Sequence, residues 1–156
     1  MKKTMLIIAM AIVPMLGFGQ IASDDTPSFR FDKIMNIRAM YSDLQCRTNL
    51  ETNEKVYQIY SRTTNQFDNF CLTIGEIDDA ISTIEYFVKF LENSNIGDNK
   101  KLKMANGDDL RIEKVKQMGW IMLQMKLSGC AGLAYLDLKV LQRVLERLYS
   151  IKTNGA

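Results

Sequence analysis

The fold is decided by residues Leu72–Glu92, LTIGEIDDAISTIEYFVKFLE, because the start, the periodicity and the end of this stretch can all be interpreted. Its apolar side chains recur at steps of three and four, which is the spacing of one helical face. Thr73 and Glu76 have the spacing of a capping box, and Leu72 and Ile77 that of a hydrophobic staple. The stretch therefore predicts an amphipathic helix that is capped at Thr73 and lies on an apolar surface.

A second stretch of the same design lies near the end of the chain. It covers Leu136–Lys152, LDLKVLQRVLERLYSIK, and Asp137 is a good N-cap for it. Each helix is preceded by short runs rich in β-branched, aromatic and alternating apolar residues, which are typical of antiparallel strands. Trp120–Leu127 is the most apolar of these runs.

Turn residues separate the predicted strands. Asn106-Gly107 predicts a two-residue hairpin in which both turn positions need a positive φ, and Gly119 marks the next turn. The pattern predicts an α+β fold of two antiparallel β-meanders, each followed by an amphipathic helix packed on a sheet, with a weak internal structural repeat. The pattern leaves open whether the meanders form one sheet or two.

The first residues have the composition of a secretory signal peptide. Lys2 and Lys3 precede an apolar run of about a dozen residues that ends near Gly17 and Gly19, and such a run is too short to span a bilayer, which takes ~20 residues. We expect a signal peptide at 1–19, a flexible leader at 20–33 and a single α+β domain at 34–152. The protein is then exported, periplasmic or secreted, with no transmembrane segment after cleavage; a retained membrane anchor is the alternative.

The charge and the missing residue types exclude several function classes. Without Lys2 and Lys3, the 20 basic side chains fall to the number of the 18 acidic ones, which argues against a nucleic-acid partner. The chain has no histidine, so histidine-dependent catalysis and histidine-ligated metals are excluded. The sequence thus favours a protein that is not an enzyme and has no cofactor.

Two sets of residues are candidates for a functional role. Trp120, with Tyr57 and Tyr60, is a candidate surface for a peptide or a sugar, although such side chains can equally belong to the core. Cys71 and Cys130 are candidates for a disulfide in an oxidising compartment, because each precedes a predicted helix. The alternative is that the cysteines are small apolar core residues.

Several motifs together carry a family resemblance: LTIGEIDDAISTIEYF, a hairpin, GWIMLQMKL and LDLKVLQRVLERL. In this order they resemble small secreted proteins of unknown function that are common in Bacteroidota, as does the leader ending at Gly19-Gln20. The resemblance implies the repeated strand-and-helix plan and export, and brings no catalytic residues. The plan is also similar to that of Pur-alpha-like single-strand nucleic-acid binders, but we expect no basic, aromatic sheet face of their kind.

Three functions are compatible with these observations. The first is a non-enzymatic binding or structural module of the cell envelope, whose partner is a protein or an envelope glycan. The second is a periplasmic inhibitor or immunity-type protein that blocks a partner enzyme. The third, least favoured, is a carboxylate-dependent hydrolase that uses Asp78 with Glu76, or Asp108 with Asp109.

Overall fold

The computed structural model describes residues 28–38, 42–62 and 69–155. The strands of the first half precede helix α1 (Ile77–Asn93) and are β1 (Phe29–Arg38), β2 (Ser42–Asn49), β3 (Lys55–Arg62) and β4 (Asn69–Gly75). Those of the second half precede helix α2 (Leu138–Asn154) and are β5 (Asn99–Lys103), β6 (Asp109–Gln117), β7 (Trp120–Leu127) and β8 (Leu133–Asp137). Strands β1–β4 form one antiparallel sheet, called sheet A, and β5–β8 form a second, called sheet B. The predicted α+β plan is confirmed, and the two meanders form separate sheets.

Each sheet has one buried face, as the alternation of its residues requires. In sheet A, Leu44 and Cys46 are buried, whereas Gln45 between them is half-buried. In sheet B, Ile112 and its partner across the strands, Met125, are fully buried. The buried faces of both sheets join the apolar sides of the two helices in one hydrophobic core.

The two helices lie side by side and antiparallel. Lys152 Nζ, near the end of α2, lies 2.6 Å from Asp78 Oδ1 at the start of α1. Further along the helix pair, the Tyr149 hydroxyl of α2 donates to Glu85 Oε1 of α1 at 2.5 Å. Helix α1 contacts β3 and β4 of sheet A and also β7 of sheet B. Helix α2 contacts β7 and β8 of sheet B and also β1 of sheet A, so each helix connects the two sheets.

The predicted start of α1 is wrong. Thr73 belongs to β4, where it pairs with Gln58, and the N-cap is Glu76, whose side chain makes no capping hydrogen bond. The core explains the difference: burying Leu72 and Ile74 in strand β4 is worth ~1.5–3 kcal/mol each, against about 0.5–2 kcal/mol for a cap. Gly75 then ends the strand at φ +98, and a Cβ there would lie 2.6 Å from the Cβ of Asp79.

The start of α2 agrees with the sequence. Asp137 is its N-cap, and the carboxylate Oδ1 accepts a hydrogen bond from the Val140 amide at 2.8 Å. The structure therefore confirms one of the two predicted caps.

The hairpin predicted at Asn106-Gly107 exists, but its turn is longer than two residues. Strand β5 ends at Lys103 and β6 begins at Asp109, and of the two predicted turn residues only Gly107 has a positive φ, +90. The loop closes on its own backbone, since the Met104 amide donates to the Asp108 carbonyl at 2.8 Å.

The first strand begins earlier than the sequence indicates. Strand β1 starts at Phe29, so residues 29–33 of the predicted leader are paired with β2. The predicted signal peptide, 1–19, lies outside the described residues. No helix in the described part of the chain is both long and apolar enough to cross a membrane.

Candidate functional site

The three residues predicted to form a binding surface do not lie together. Tyr57 is 3% exposed on the buried face of sheet A, opposite Cys46. Burial, followed by the neighbouring Cys46 thiol, raises the pKa of Tyr57. Tyr60 is half-buried on the opposite face of the same strand, and Trp120 belongs to sheet B. Tyr57 is thus a core residue. A binding surface that includes Trp120 must be formed with residues other than Tyr57 and Tyr60.

Trp120 belongs to a group of exposed apolar side chains at the end of the β6–β7 hairpin. Met118 is 93% exposed, Trp120 67% and Ile121 48%. We call these three residues the apolar tip. Met118 and Gly119 form the turn between the strands, with φ values of +51 and +83. Two central residues with positive φ match the hairpin turn whose twist agrees with that of the strands.

The apolar tip protrudes beyond the hydrophobic core. Along the inner face of β7, Leu123 is fully buried, whereas Ile121, two residues nearer the turn, is half exposed. On β6, Lys114 pairs with Leu123 and is buried, whereas Lys116 pairs with Ile121 and is exposed. The inner face of the hairpin therefore leaves the hydrophobic core between Leu123 and Ile121, and the last residues before the turn lie outside it.

The base of the hairpin is fixed by Lys114. Its ammonium group donates to the carbonyl oxygens of Leu91 and Ser94, the latter at 2.6 Å, at the end of α1. Helix α1 has no basic residue in its own last turn, so Lys114 supplies the cation that a helix C-terminus favours. The Gly97 amide also donates to the Lys114 carbonyl at 2.8 Å. The hairpin is therefore attached firmly where it leaves the core.

Three further apolar residues lie on or near the same hairpin. Met122 and its partner across the strands, Val115, continue the Trp120 side of the sheet, and Met122 is buried. Ile96 is exposed and precedes Gly97, whose amide is bonded to Lys114 of β6. On the Trp120 side, exposed apolar area is thus greatest at the end of the hairpin.

Sequence reasoning found Trp120 but missed Met118 and Ile121. A signal was present, because the turn between two predicted strands contains Met118 instead of the usual Asn or Asp. A non-glycine residue with a positive φ is uncommon, and a methionine has no side-chain group that could bond to the turn backbone. The local turn chemistry does not explain the choice of Met118.

A second exposed group lies on the outer face of sheet A. Phe29 and Phe31 are exposed there on β1, on the same face as Lys33 and Arg47. This corrects the expectation that no sheet face is both basic and aromatic. The cations of this face have partners within the chain, since the Arg47 guanidinium lies 4.8 Å from the centre of the Phe29 ring and Lys33 Nζ 2.8 Å from Asp43 Oδ1.

The acidic pairs have local structural partners. Asp78 binds Lys152, and Asp109 Oδ1 lies 3.0 Å from Lys103 Nζ. Asp108 accepts a hydrogen bond from Asn106 Nδ2 at 2.7 Å. Glu76 is exposed at the N-cap of α1. Among the described residues, no group of three or more Cys, Asp or Glu side chains is arranged to hold a metal ion.

A scan against protein-family models, a search of curated proteins and a search of solved structures found no match to this chain. The inference of function therefore depends on the chain's own geometry.

Proposed function

We propose that this protein is a non-enzymatic binding module of the cell envelope, and that the apolar tip is its contact site for another protein. The observation that carries the proposal is the exposure of Met118, Trp120 and Ile121 together at the end of a firmly attached hairpin. Trp120 and Ile121 point to opposite faces of the hairpin and Met118 lies at its end, so the tip offers apolar side chains on both sides. Exposed apolar side chains grouped in this way mark contact surfaces, whereas isolated ones need no explanation.

The composition of the tip favours a protein partner. Tryptophan is enriched among the residues that dominate interface energies, and methionine adapts its shape to irregular surfaces. Lys116 and Gln117 flank the tip and are exposed, so they can supply a polar rim. A glycan site needs several oriented hydrogen-bonding groups, which Met118 and Ile121 do not have.

The convex shape of the tip specifies the shape of the partner. A protruding hairpin cannot enclose a small ligand, but it can fill a cleft on another molecule. We therefore expect the partner to offer an apolar pocket that receives the Trp120 ring. The placement in the envelope is supported by the signal-like composition of residues 1–19.

The proposal is tested by removing the apolar tip without disturbing the strand. A double variant, Met118→Asn with Trp120→Thr, keeps turn and strand preferences and removes the two most exposed apolar groups. Phe31→Thr is the matched control, because Phe31 is also an exposed aromatic on a strand, at 57%. The mature proteins are immobilised, and the proteins they retain from their own envelope extract are quantified by mass spectrometry.

The proposal predicts a partner that is retained by the wild type and by Phe31→Thr, and is lost at least tenfold from the double variant. A partner retained equally by all three proteins would contradict it. Circular dichroism and melting curves establish that the variants remain folded.

The protruding shape of the hairpin also favours a more specific function, that of an inhibitor which inserts the tip into the active-site cleft of an enzyme. This second candidate predicts that the retained partner is an enzyme whose activity falls when wild-type protein is added. The double variant should leave that activity unchanged. A retained partner without a cleft at the contact would argue against inhibition, while leaving the binding module intact.

A further inference from the structure

The three cysteines lie in different surroundings, and one of them is inaccessible. Cys46 is 4% exposed on the inner face of sheet A, where its sulfur lies 3.9 Å from Thr48 Oγ1. Cys71 is exposed and Cys130 is half-buried. A thiol reagent in solution therefore reaches Cys71 and Cys130 far more easily than Cys46.

Cys71 and Cys130 approach each other from the two halves of the chain. Cys71 lies on β4, the edge strand of sheet A, and Cys130 lies in the loop between β7 and β8 of sheet B. Cys130 Sγ lies 3.6 Å from the carbonyl oxygen of Asn69, also on β4. Asn69 and Cys71 are alternate residues of the strand, so they share a face and are about 7 Å apart.

The loop that carries Cys130 lies beside the strand that carries Cys71. A disulfide needs Cα atoms about 4.4–6.8 Å apart, and the contact with the Asn69 carbonyl places Cys130 against strand β4 two residues from Cys71. Cys130 lies in a loop with Gly129, whose φ is +80, and Gly132. Because loops move more easily than sheet strands, the loop can make the small adjustment required.

The charges around Cys71 are consistent with this proximity. Although the Cys71 side chain is exposed, surrounding protein atoms remove part of its hydration, and this desolvation is the largest cause that raises its pKa; Arg47 lowers the pKa, and Asp108 and the Cys130 thiol raise it. Cys130 is thus close enough to act on Cys71 electrostatically. A raised pKa means that less of the reactive thiolate is present at neutral pH, so the Cys71 thiol should react faster at mildly alkaline pH.

We propose that Cys71 and Cys130 form a redox-sensitive link that joins the edge of sheet A to the β7–β8 loop of sheet B. The oxidant is a small disulfide such as oxidised glutathione. The Cys71 thiolate attacks one of its sulfurs and releases one thiol, leaving a mixed disulfide on Cys71. The Cys130 thiolate then attacks the Cys71 sulfur and releases the second thiol. The two cysteines lose two protons and two electrons, and the small disulfide becomes two thiols.

The link should stabilise the fold. It closes a long loop that contains α1 and most of sheet B, and cross-links of this kind stabilise chiefly by restricting the unfolded chain. We expect the melting temperature of the oxidised protein to be higher by about 5–10 °C.

The experiment titrates the full chain with glutathione buffers of increasing oxidised fraction, at mildly alkaline pH. Free thiols are alkylated under denaturing conditions, and the bonded peptides are identified by mass spectrometry. Cys71→Ser and Cys130→Ser are compared with Cys46→Ala, which retains both proposed partners.

The expected result is one intramolecular bond, between Cys71 and Cys130, in the wild type and in Cys46→Ala, together with the higher melting temperature. Neither serine variant should form an intramolecular bond. Three alkylatable thiols at the most oxidising ratio, a bond that includes Cys46, or an unchanged melting temperature after the bond forms would each overturn the proposal. Because the bond is mapped in the wild type, the test does not depend on every variant folding.

Discussion

Two hairpins share strand β6 but end in opposite ways. The β5–β6 loop is polar and satisfies itself: Asp108 accepts from Asn106 Nδ2 at 2.7 Å, and the Asp108 amide donates to Asn106 Oδ1 at 3.2 Å. The β6–β7 turn carries Met118, with a φ of +51, and is followed by the exposed Trp120 and Ile121.

The difference separates a turn whose polar residues bond to one another from one whose apolar residues have the exposure that the proposed contact site requires. In the first hairpin Asn106 and Asp108 bond to each other, so no external partner is needed to explain these exposed side chains. In the second, an apolar side chain occupies a backbone conformation that favours glycine or asparagine, and it is almost fully exposed. Such a residue weakens the turn slightly and gains nothing within the chain, which is consistent with selection for an external contact.

The largest expected effect is a loss of stability on strand β7. It tests where along this strand the second hairpin leaves the core. Leu123→Ala should destabilise the protein by about 2–5 kcal/mol, because the side chain is fully buried. Ile121→Ala, on the same face two residues nearer the turn, should cost less than about 1 kcal/mol. Urea unfolding of both variants measures the difference. Equal losses would show that the tip is packed and does not protrude.

The next effect concerns the base of the hairpin. Lys114→Met keeps the packing of the alkyl chain but removes two charge-assisted hydrogen bonds to the end of α1, so we expect a loss of ~1.5–3 kcal/mol. Lys116→Met, two residues nearer the turn on the same face of the strand, is the control and should change stability by less than about 0.5 kcal/mol. A neutral Lys114→Met would mean that the hairpin is not fixed at this point.

The smallest effect is an exchange of turn chemistry between the hairpins. Met118→Asn should raise the free energy of unfolding by about 0.5–1 kcal/mol, because asparagine tolerates the left-handed conformation better. Asn106→Met should lower it by about 1 kcal/mol through the loss of local hydrogen bonds. Chemical denaturation of the two single variants measures both changes in the free energy of unfolding. A destabilising Met118→Asn would show that the methionine belongs to the turn itself.

Much of the fold follows from the sequence, since both helices and the two meanders are visible in its periodicity. The start of α1 does not, because Thr73 has the local pattern of a cap while its neighbours Leu72 and Ile74 are held in β4 by the core. A prediction made from the local sequence pattern does not include these tertiary contacts.

The candidate site can be predicted from the sequence only in part. Trp120 stands out as the single tryptophan, but its exposure depends on how far the hairpin extends past the core, which no spacing reveals. Tyr57 shows the same limit, because the residue type suits both a core and a surface, and strand register decides between them. Whether the proposed link between Cys71 and Cys130 can form likewise depends on how the two halves meet.

The claim that the apolar tip is a contact site is tested most directly by photo-crosslinking from the two hairpin ends. A benzophenone amino acid is placed at position 118 in one protein and at position 106 in another, and each is irradiated in native envelope extract. We predict one discrete adduct from position 118 and none from position 106. The absence of an adduct at position 118, or the same adduct from both positions, would contradict the account.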